Sequence, residues 1–380
     1  TPPVPQGKPM RIRFLVALVA AVCSSLAVIA AETPADSKPG FVLQRPLRDL
    51  YDSAFVYTDG GRAKARVIGI DALAERLVDA DVVFYGEYHR HPGVHLQQQR
   101  LFRALQQRHA DWVLSLEQFE RDVQPVLDDF LAGRIGEINF AEKSRAWDNY
   151  RTSYRPLVEF ARQHGFSVVA AAAQTRAIGC IEKLGPEVLD KFSTEDRTLV
   201  AARLNLGPGA YRDKYMAFQG GSATHGGGSN SAQAQARAER SFAAQAARDD
   251  TMAESILHAL RQHPGSKVLH LNGAFHSAAF LGTVERLLLR DPKLKVAVIM
   301  PVEVDDPARP AVAASEFTQG TALQLVQPNP ADFVDGEDQS DWVRKMIAKR
   351  LANVCKYAPK PTEAPPPAPT GTAPATTPSS

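Results

Sequence analysis

The sequence predicts an α/β fold, with a mixed and mostly parallel central sheet flanked by helices, and three observations lead there. Short runs of β-branched and aromatic residues alternate with amphipathic stretches of helical length through most of residues 44–345, the pattern that puts helices on both faces of a sheet. Two early runs, 55–58 and 65–68, flank Asp59-Gly60-Gly61, a turn sequence that favours a tight hairpin and adds some antiparallel character. Polar residues follow directly after several apolar runs, at the strand ends where an open α/β sheet keeps its ligands.

The stretch from Asp81 to Leu105 carries the most chemistry. Val82, Val83, Phe84 and Tyr85 form a buried-strand run ending at Gly86, and helical spacing of Leu96, Leu101, Phe102 and Leu105 resumes after Pro92-Gly93. Between them lie Glu87, His89, His91 and His95. In extended chain Glu87 and His89 point to the same side, able to share a metal or move a proton, while Tyr88 and His91 face away. His95, at the expected helix start, can turn back toward the same pocket, where unsatisfied amides favour an anion.

The remaining elements follow in order. Residues 70–78 read as a short helix and 112–116 as a second buried strand ending on Glu117-Gln118-Phe119-Glu120. Residues 123–131 are amphipathic and stop at Gly133; Pro156 and Gly165 suit the first turn and the stop of another helix. A third strand is expected over 167–172, a helix over 185–203, and a long alanine-rich helix over 232–262. Residues 267–272 form a fourth strand running into Gly273-Ala274-Phe275-His276, then come a helix over 284–289, a fifth strand over 294–302 and a short edge strand over 323–326. Between 207 and 231 the glycine content rises, which reads as an insertion or mobile lid carrying Tyr211 and Tyr215.

The 380 residues carry a net charge of +2 with 44% hydrophobic content, which fits a globular protein and gives no sign of nucleic acid as a partner. Residues 1–31 read as upstream sequence followed by a secretory signal peptide: Met10-Arg11-Ile12-Arg13, apolar runs to Ala31, then a polar linker over 32–43. Lipidation at Cys23 is a rival reading, disfavoured by the bulky Val22 before it. After the signal only Cys180 and Cys355 remain; an oxidising compartment allows them to pair, and whether they do stays open. The proline-rich tail over 359–380 is expected to be disordered.

Three strand ends thus carry Glu87 with His89, Glu117, and His276. With them Gly86-Glu87-Tyr88-His89 and His95, Leu116-Glu117-Gln118-Phe119, the 147–154 segment with Pro156-Leu157, Gln245 with Arg248-Asp249 and Met252-Ala253, and Gly273-Ala274-Phe275-His276 make a pattern spanning roughly residues 46–305. It resembles the ChaN-like haem-binding uptake proteins, grouped with the Tiki proteases, the TraB proteins and the erythromycin esterases. The sequence departs from that family in the insertion at 207–231, in Ala171-Ala172-Ala173-Gln174, and in its longer tail.

The resemblance implies a periplasmic or outer-membrane-associated protein of haem or iron acquisition, binding haem or a similar ligand in a cleft at the strand carboxyl ends. His89, His95, Tyr211, Tyr215 and His276 are then candidate haem contacts, with Arg248 as a propionate partner. The alternative is a hydrolase in which Glu87, His89 and His276 act as acid, base or ligands of a divalent metal. A non-catalytic scaffold is the third reading, and a homodimeric state stays open.

Overall fold

The computed structural model describes residues 39–223, 232–334, 336–351 and 355–357; the expected signal segment and proline-rich tail lie outside them. After β1 (Phe41–Val42), the hairpin forms as β2 (Ser53–Tyr57) and β3 (Arg66–Ile68), antiparallel with Val56 opposite Val67. α1 (Ile70–Leu77) leads to β4 (Val82–Glu87), which is buried along its whole length, and then to α2 (Pro92–Gln106), with His91 as its N-cap. β5 (Trp112–Glu120), α3 (Gln124–Leu131), α4 (Glu137–Lys143), α5 (Arg155–His164) and β6 (Ser167–Ala172) complete one half.

The other half holds α6 (Thr175–Leu184), α7 (Thr194–Arg197), α8 (Ala210–Ala223) and α9 (Ala232–Gln262). β7 (Lys267–Gly273), α10 (Thr283–Arg290), β8 (Val296–Glu303), β9 (Ala311–Val312), β10 (Ala322–Val326) and α11 (Ser340–Leu351) follow. The eight-stranded sheet runs β3-β2-β10-β8-β4-β7-β5-β6, and β1 pairs with β9 separately. From β10 to β6 every neighbouring pair is parallel.

Strand alternation divides the core. Val83, Tyr85, Leu114, Leu116, Leu269 and Leu271 pack against helices α1 to α5, while Val82, Phe84, Val113, Val268 and Val298 pack against α9 and α10. Parallel registry sets Glu87 of β4 beside Gly273 of β7, and Leu116 of β5 beside Leu271, so the carboxyl ends of these strands open at one edge.

Several expectations need correction. The strand over 323–326 is not an edge: β10 lies between β2 and β8 and is buried throughout, and a short run does not by itself reveal neighbours on both sides. Residues 185–203 are not one helix, because a 3-10 turn over Pro186–Lys191 ends at Phe192 in extended backbone, and the Ser193 hydroxyl, accepting from the Asp196 amide, caps a new short helix. The lid reading of 207–231 meets a helix over most of its described part, with Tyr211 and Tyr215 buried; residues 224–231 lie outside the described residues.

Cys180 on α6 and Cys355 form a disulfide across 175 residues of sequence. Closing a loop of that length restricts the unfolded chain by about 5 kcal/mol in the chain-entropy account. Reduction, or paired replacement of Cys180 and Cys355 by Ala, is therefore expected to lower the melting temperature by several degrees. An unchanged melt under reducing conditions would contradict that role.

Candidate active site at the carboxyl edge of the sheet

Glu87 closes β4 with a fully buried side chain, so its charge must be met by protein donors. Its Oε1 accepts from His89 Nδ1 at 2.8 Å, Gln118 Nε2 at 2.9 Å and Tyr154 Oη at 2.6 Å; its Oε2 accepts from Gln98 Nε2 at 2.8 Å, with His95 Nδ1 3.7 Å away. Tyr154 reaches inward from a π-helical turn, Tyr150–Tyr154, an element that tends to occur at functional sites. Burial pushes the Glu87 carboxyl up, but the His95 charge and the bonds from His89 and Tyr154 outweigh it and hold the group at about 2.

A second carboxylate–imidazole pair stands across the edge. His276 Nδ1 lies 2.8 Å from Oδ1 of Asp249, a fully buried α9 residue that also accepts from Thr283 Oγ1 at 2.8 Å and, on Oδ2, from Tyr211 Oη at 2.6 Å. The other nitrogen of His276, Nε2, is 3.4 Å from Glu117 Oε1, and Glu117 Oε2 accepts from the Gly273 amide at 2.6 Å. Gly273 is where the pairs meet, since a Cβ there would come within 2.9 Å of His89 Nε2. Burial lowers both histidines; Glu87 for His89, and Asp249 with Glu117 for His276, more than restore them, and both end above the ordinary value of 6.5.

The model of the family described as haem-binding uptake, Tiki superfamily, ChaN matches residues 73–287 of this chain. The chain belongs to the ChaN family. ChaN of Campylobacter jejuni, in a structure described as cofacial haem binding, matches with TM-score 0.53 and 16% identity over 74% of this chain and 100% of that one. The type III effector HopBA1 matches at TM-score 0.39 and 11% identity over 68% and 94%, and an erythromycin esterase mutant in its open conformation at 0.38 and 12% over 77% and 86%. A comparison with curated proteins returns no significant match.

Within this candidate site of the ChaN-family chain the expected residues take different places. Glu87, His89, Glu117 and His276 gather at one edge, linked through Gly273. His95 does turn back, yet its Nδ1 meets Gln98 Oε1 at 2.9 Å and its Nε2 the His89 carbonyl at 3.0 Å, so both nitrogens serve the fold. Tyr211 is 1% exposed with its hydroxyl on Asp249, and burial, with the Asp249 charge, pushes its phenol well above the ordinary value. The Tyr215 hydroxyl is shared with Ser241 and Gln219. Arg248 is half-buried, where Glu117 and Asp249 oppose the effect of burial on its guanidinium.

Glu87, expected as a metal ligand or general base, has both oxygens taken up by protein donors. Among the described residues no group of three or more His, Cys, Asp or Glu side chains is placed to hold a metal ion. Sequence reasoning gave no role to Asp249, Gln98, Gln118 or Tyr154. Gln98 and Gln118 stand next to named positions, but only a tertiary contact turns a glutamine amide into a carboxylate partner.

The pKa directions fix a pH window. Glu87, lowered from 4.5 to about 2, contributes stability that is present above pH 4.5 and lost as the pH falls toward 2. His89 and His276, raised above 6.5, contribute stability that is complete below pH 6.5 and lost as the pH rises through their folded values. Thermal melts across pH 3–9 should therefore decline on both sides of a plateau. Glu87→Gln should cost about 3 kcal/mol, because removing one partner leaves the buried donors unmatched, and it should flatten the acid limb; an unaltered acid limb would exclude Glu87 as its origin.

Proposed function

We propose that this chain is an exported member of the ChaN family that binds haem, or a planar ligand of that kind, against His276 and His89 at the carboxyl edge of the sheet. The observation that carries this reading is the pair of imidazoles whose Nδ1 atoms are each held by a buried carboxylate, at 2.8 Å in both cases, leaving Nε2 on the side of Gly273 and Glu117. A carboxylate behind a histidine fixes the ring and strengthens its other nitrogen, when unprotonated, as a donor. That donor chemistry suits haem, which when bound would supply an iron centre for an imidazole nitrogen. Half-buried Trp147, Phe275 and Arg248 border the same edge and offer aromatic surface and a cation for a propionate. Cofacial haem binding in Campylobacter jejuni ChaN, at 16% identity, lends the ligand class.

Export is supported by the Cys180–Cys355 disulfide, a bond that persists in oxidising compartments. Among the described residues no helix is long and apolar enough to cross a membrane.

One observation favours hydrolysis as a second reading: Glu117, half-buried and 3.4 Å from His276 Nε2, makes a carboxylate–imidazole pair able to hold and deprotonate water. In that reading Glu87, at about 2, is an anchor rather than the base.

A haemin titration decides between them. The haem reading expects a Soret shift that is lost in His276→Ala or His89→Ala and kept in Glu117→Gln. Esterase or peptidase turnover abolished by Glu117→Gln, with no Soret shift in the unaltered protein, would reverse the order.

A further inference from the structure

Helices α2 and α5 lie side by side on one face of the sheet, both running from its carboxyl edge toward its amino edge. Their inner faces, with Leu101, Phe102 and Leu105 on α2 and Leu157, Val158 and Ala161 on α5, join the core. Their flanks do not close on each other. Gln99, Arg103, Gln106 and Gln107, spaced to stack on adjacent turns of α2, stand across from Phe160 and Gln163 of α5 and line a groove of about 470 Å³. The groove leads away from the Glu87 cluster, because α2 starts at the carboxyl edge and these residues belong to its second half.

Helices packed ridge into groove fill such a seam with interlocked side chains. Here glutamine amides border it, and among the described residues those of Gln99, Gln106, Gln107 and Gln163 make no side-chain hydrogen bond. The Glu159 carboxylate is paired with Arg162 at 2.7 Å, so neutral amides dominate the lining. The volume falls within the roughly 300–1,000 Å³ of small-molecule sites. An apolar occupant would strip water from the amides without replacing it. Peptides are held along a sheet edge, in an apolar or aromatic groove, or by clustered arginines, and this seam is built otherwise. It suits a ligand whose groups both donate and accept, with a C–H face for the half-buried Phe160 ring, which Phe102 fixes at 5.2 Å between centroids. An acetamido sugar has each of these: an amide to pair reciprocally with a glutamine amide, hydroxyls that donate and accept, and C–H groups for the negative face of the ring.

We propose that the groove between α2 and α5 is a binding site for a short chain of N-acetylated sugars, separate from the site at the carboxyl edge. The alternative is a seam that holds only water. The two differ in whether the amides discriminate between oligosaccharides.

The test titrates N-acetylated chitotetraose, cellotetraose and a capped tetra-alanine peptide by calorimetry, up to millimolar concentration, into the full chain and into the double variant Gln106→Ala, Gln163→Ala. Thermal melts of both proteins accompany it and should coincide, since the two amides hold nothing in the fold. Chitotetraose should bind the unaltered protein, and the double variant should weaken it by about ten-fold or more, the scale of two neutral hydrogen bonds. Cellotetraose, which has no acetamido groups, should bind the unaltered protein about ten-fold or more weakly than chitotetraose on the same scale. That comparison stands whatever the stability of the variant. No heat with chitotetraose, equal affinity for the two oligosaccharides, unchanged affinity in a folded double variant, or tighter binding of the peptide would overturn the proposal.

Discussion

The arrangement depends on one constraint: a carboxylate at the end of the central strand is taken out of water and must stay ionised. Removing a charge from solvent costs several kcal/mol unless donors replace the water. Glu87 draws those donors from α2 (Gln98), β5 (Gln118), the π-helical turn (Tyr154) and its own loop (His89). Each of these elements is thereby fixed relative to β4 by a bond that is expensive to leave unmade. His95 and Asn149 extend the same knot by both holding the His89 carbonyl.

Parallel strand order then brings the second half of the site alongside. β7 lies between β4 and β5, so the turn after Gly273 emerges between Glu87 and Glu117. The approach is close enough to exclude side chains: an added Cβ would fall 2.9 Å from Met300 Sδ at Gly86 and 2.9 Å from His89 Nε2 at Gly273. Glycine is needed at both points for space, since neither has a positive φ.

Much of this was legible in the sequence. The strand runs ending at Gly86, Leu116 and Asn272 carried their polar residues to one edge because parallel sheets share that edge, and Glu87, His89, Glu117 and His276 were readable as a group for that reason. What stayed hidden depends on contacts between distant segments. Asp249 sits in a helix where the next residue, Asp250, offers an equal carboxylate, and only the rotation of α9 decides that Asp249 meets His276. Tyr211 and Tyr215 read as available phenols in a glycine-rich stretch, yet the aromatic spacing that builds α8 turns them into its buried face. Sequence reasoning missed the helix over 175–184, and the break inside the expected helix over 185–203 rests on extended backbone at Phe192 and the side-chain cap at Ser193, which composition does not reveal.

The two halves of the site are held by different physics. The Glu87 half is a hydrogen-bonded knot centred on one carboxylate between strands and their loops. The Asp249 half is braced by charge between helices: the neighbouring Asp250 pairs with Arg290 at 2.8 Å and Arg286 at 3.6 Å and accepts from the Asn205 amide, while the Arg286 guanidinium stacks 4.5 Å over Tyr211. Burial raises the Asp250 carboxyl, opposed first by the Asn205 amide and then by the two arginines. Through Tyr211 that brace reaches Asp249 and then His276, which ties the orientation of the second imidazole to the packing of α8, α9 and α10. α8 reaches the site through Tyr211 on Asp249, whereas the donors to Glu87 come from other elements. The two imidazoles are therefore matched in having a buried carboxylate on Nδ1 and differ in what holds that carboxylate, strand and loop donors for Glu87, helix-borne groups for Asp249.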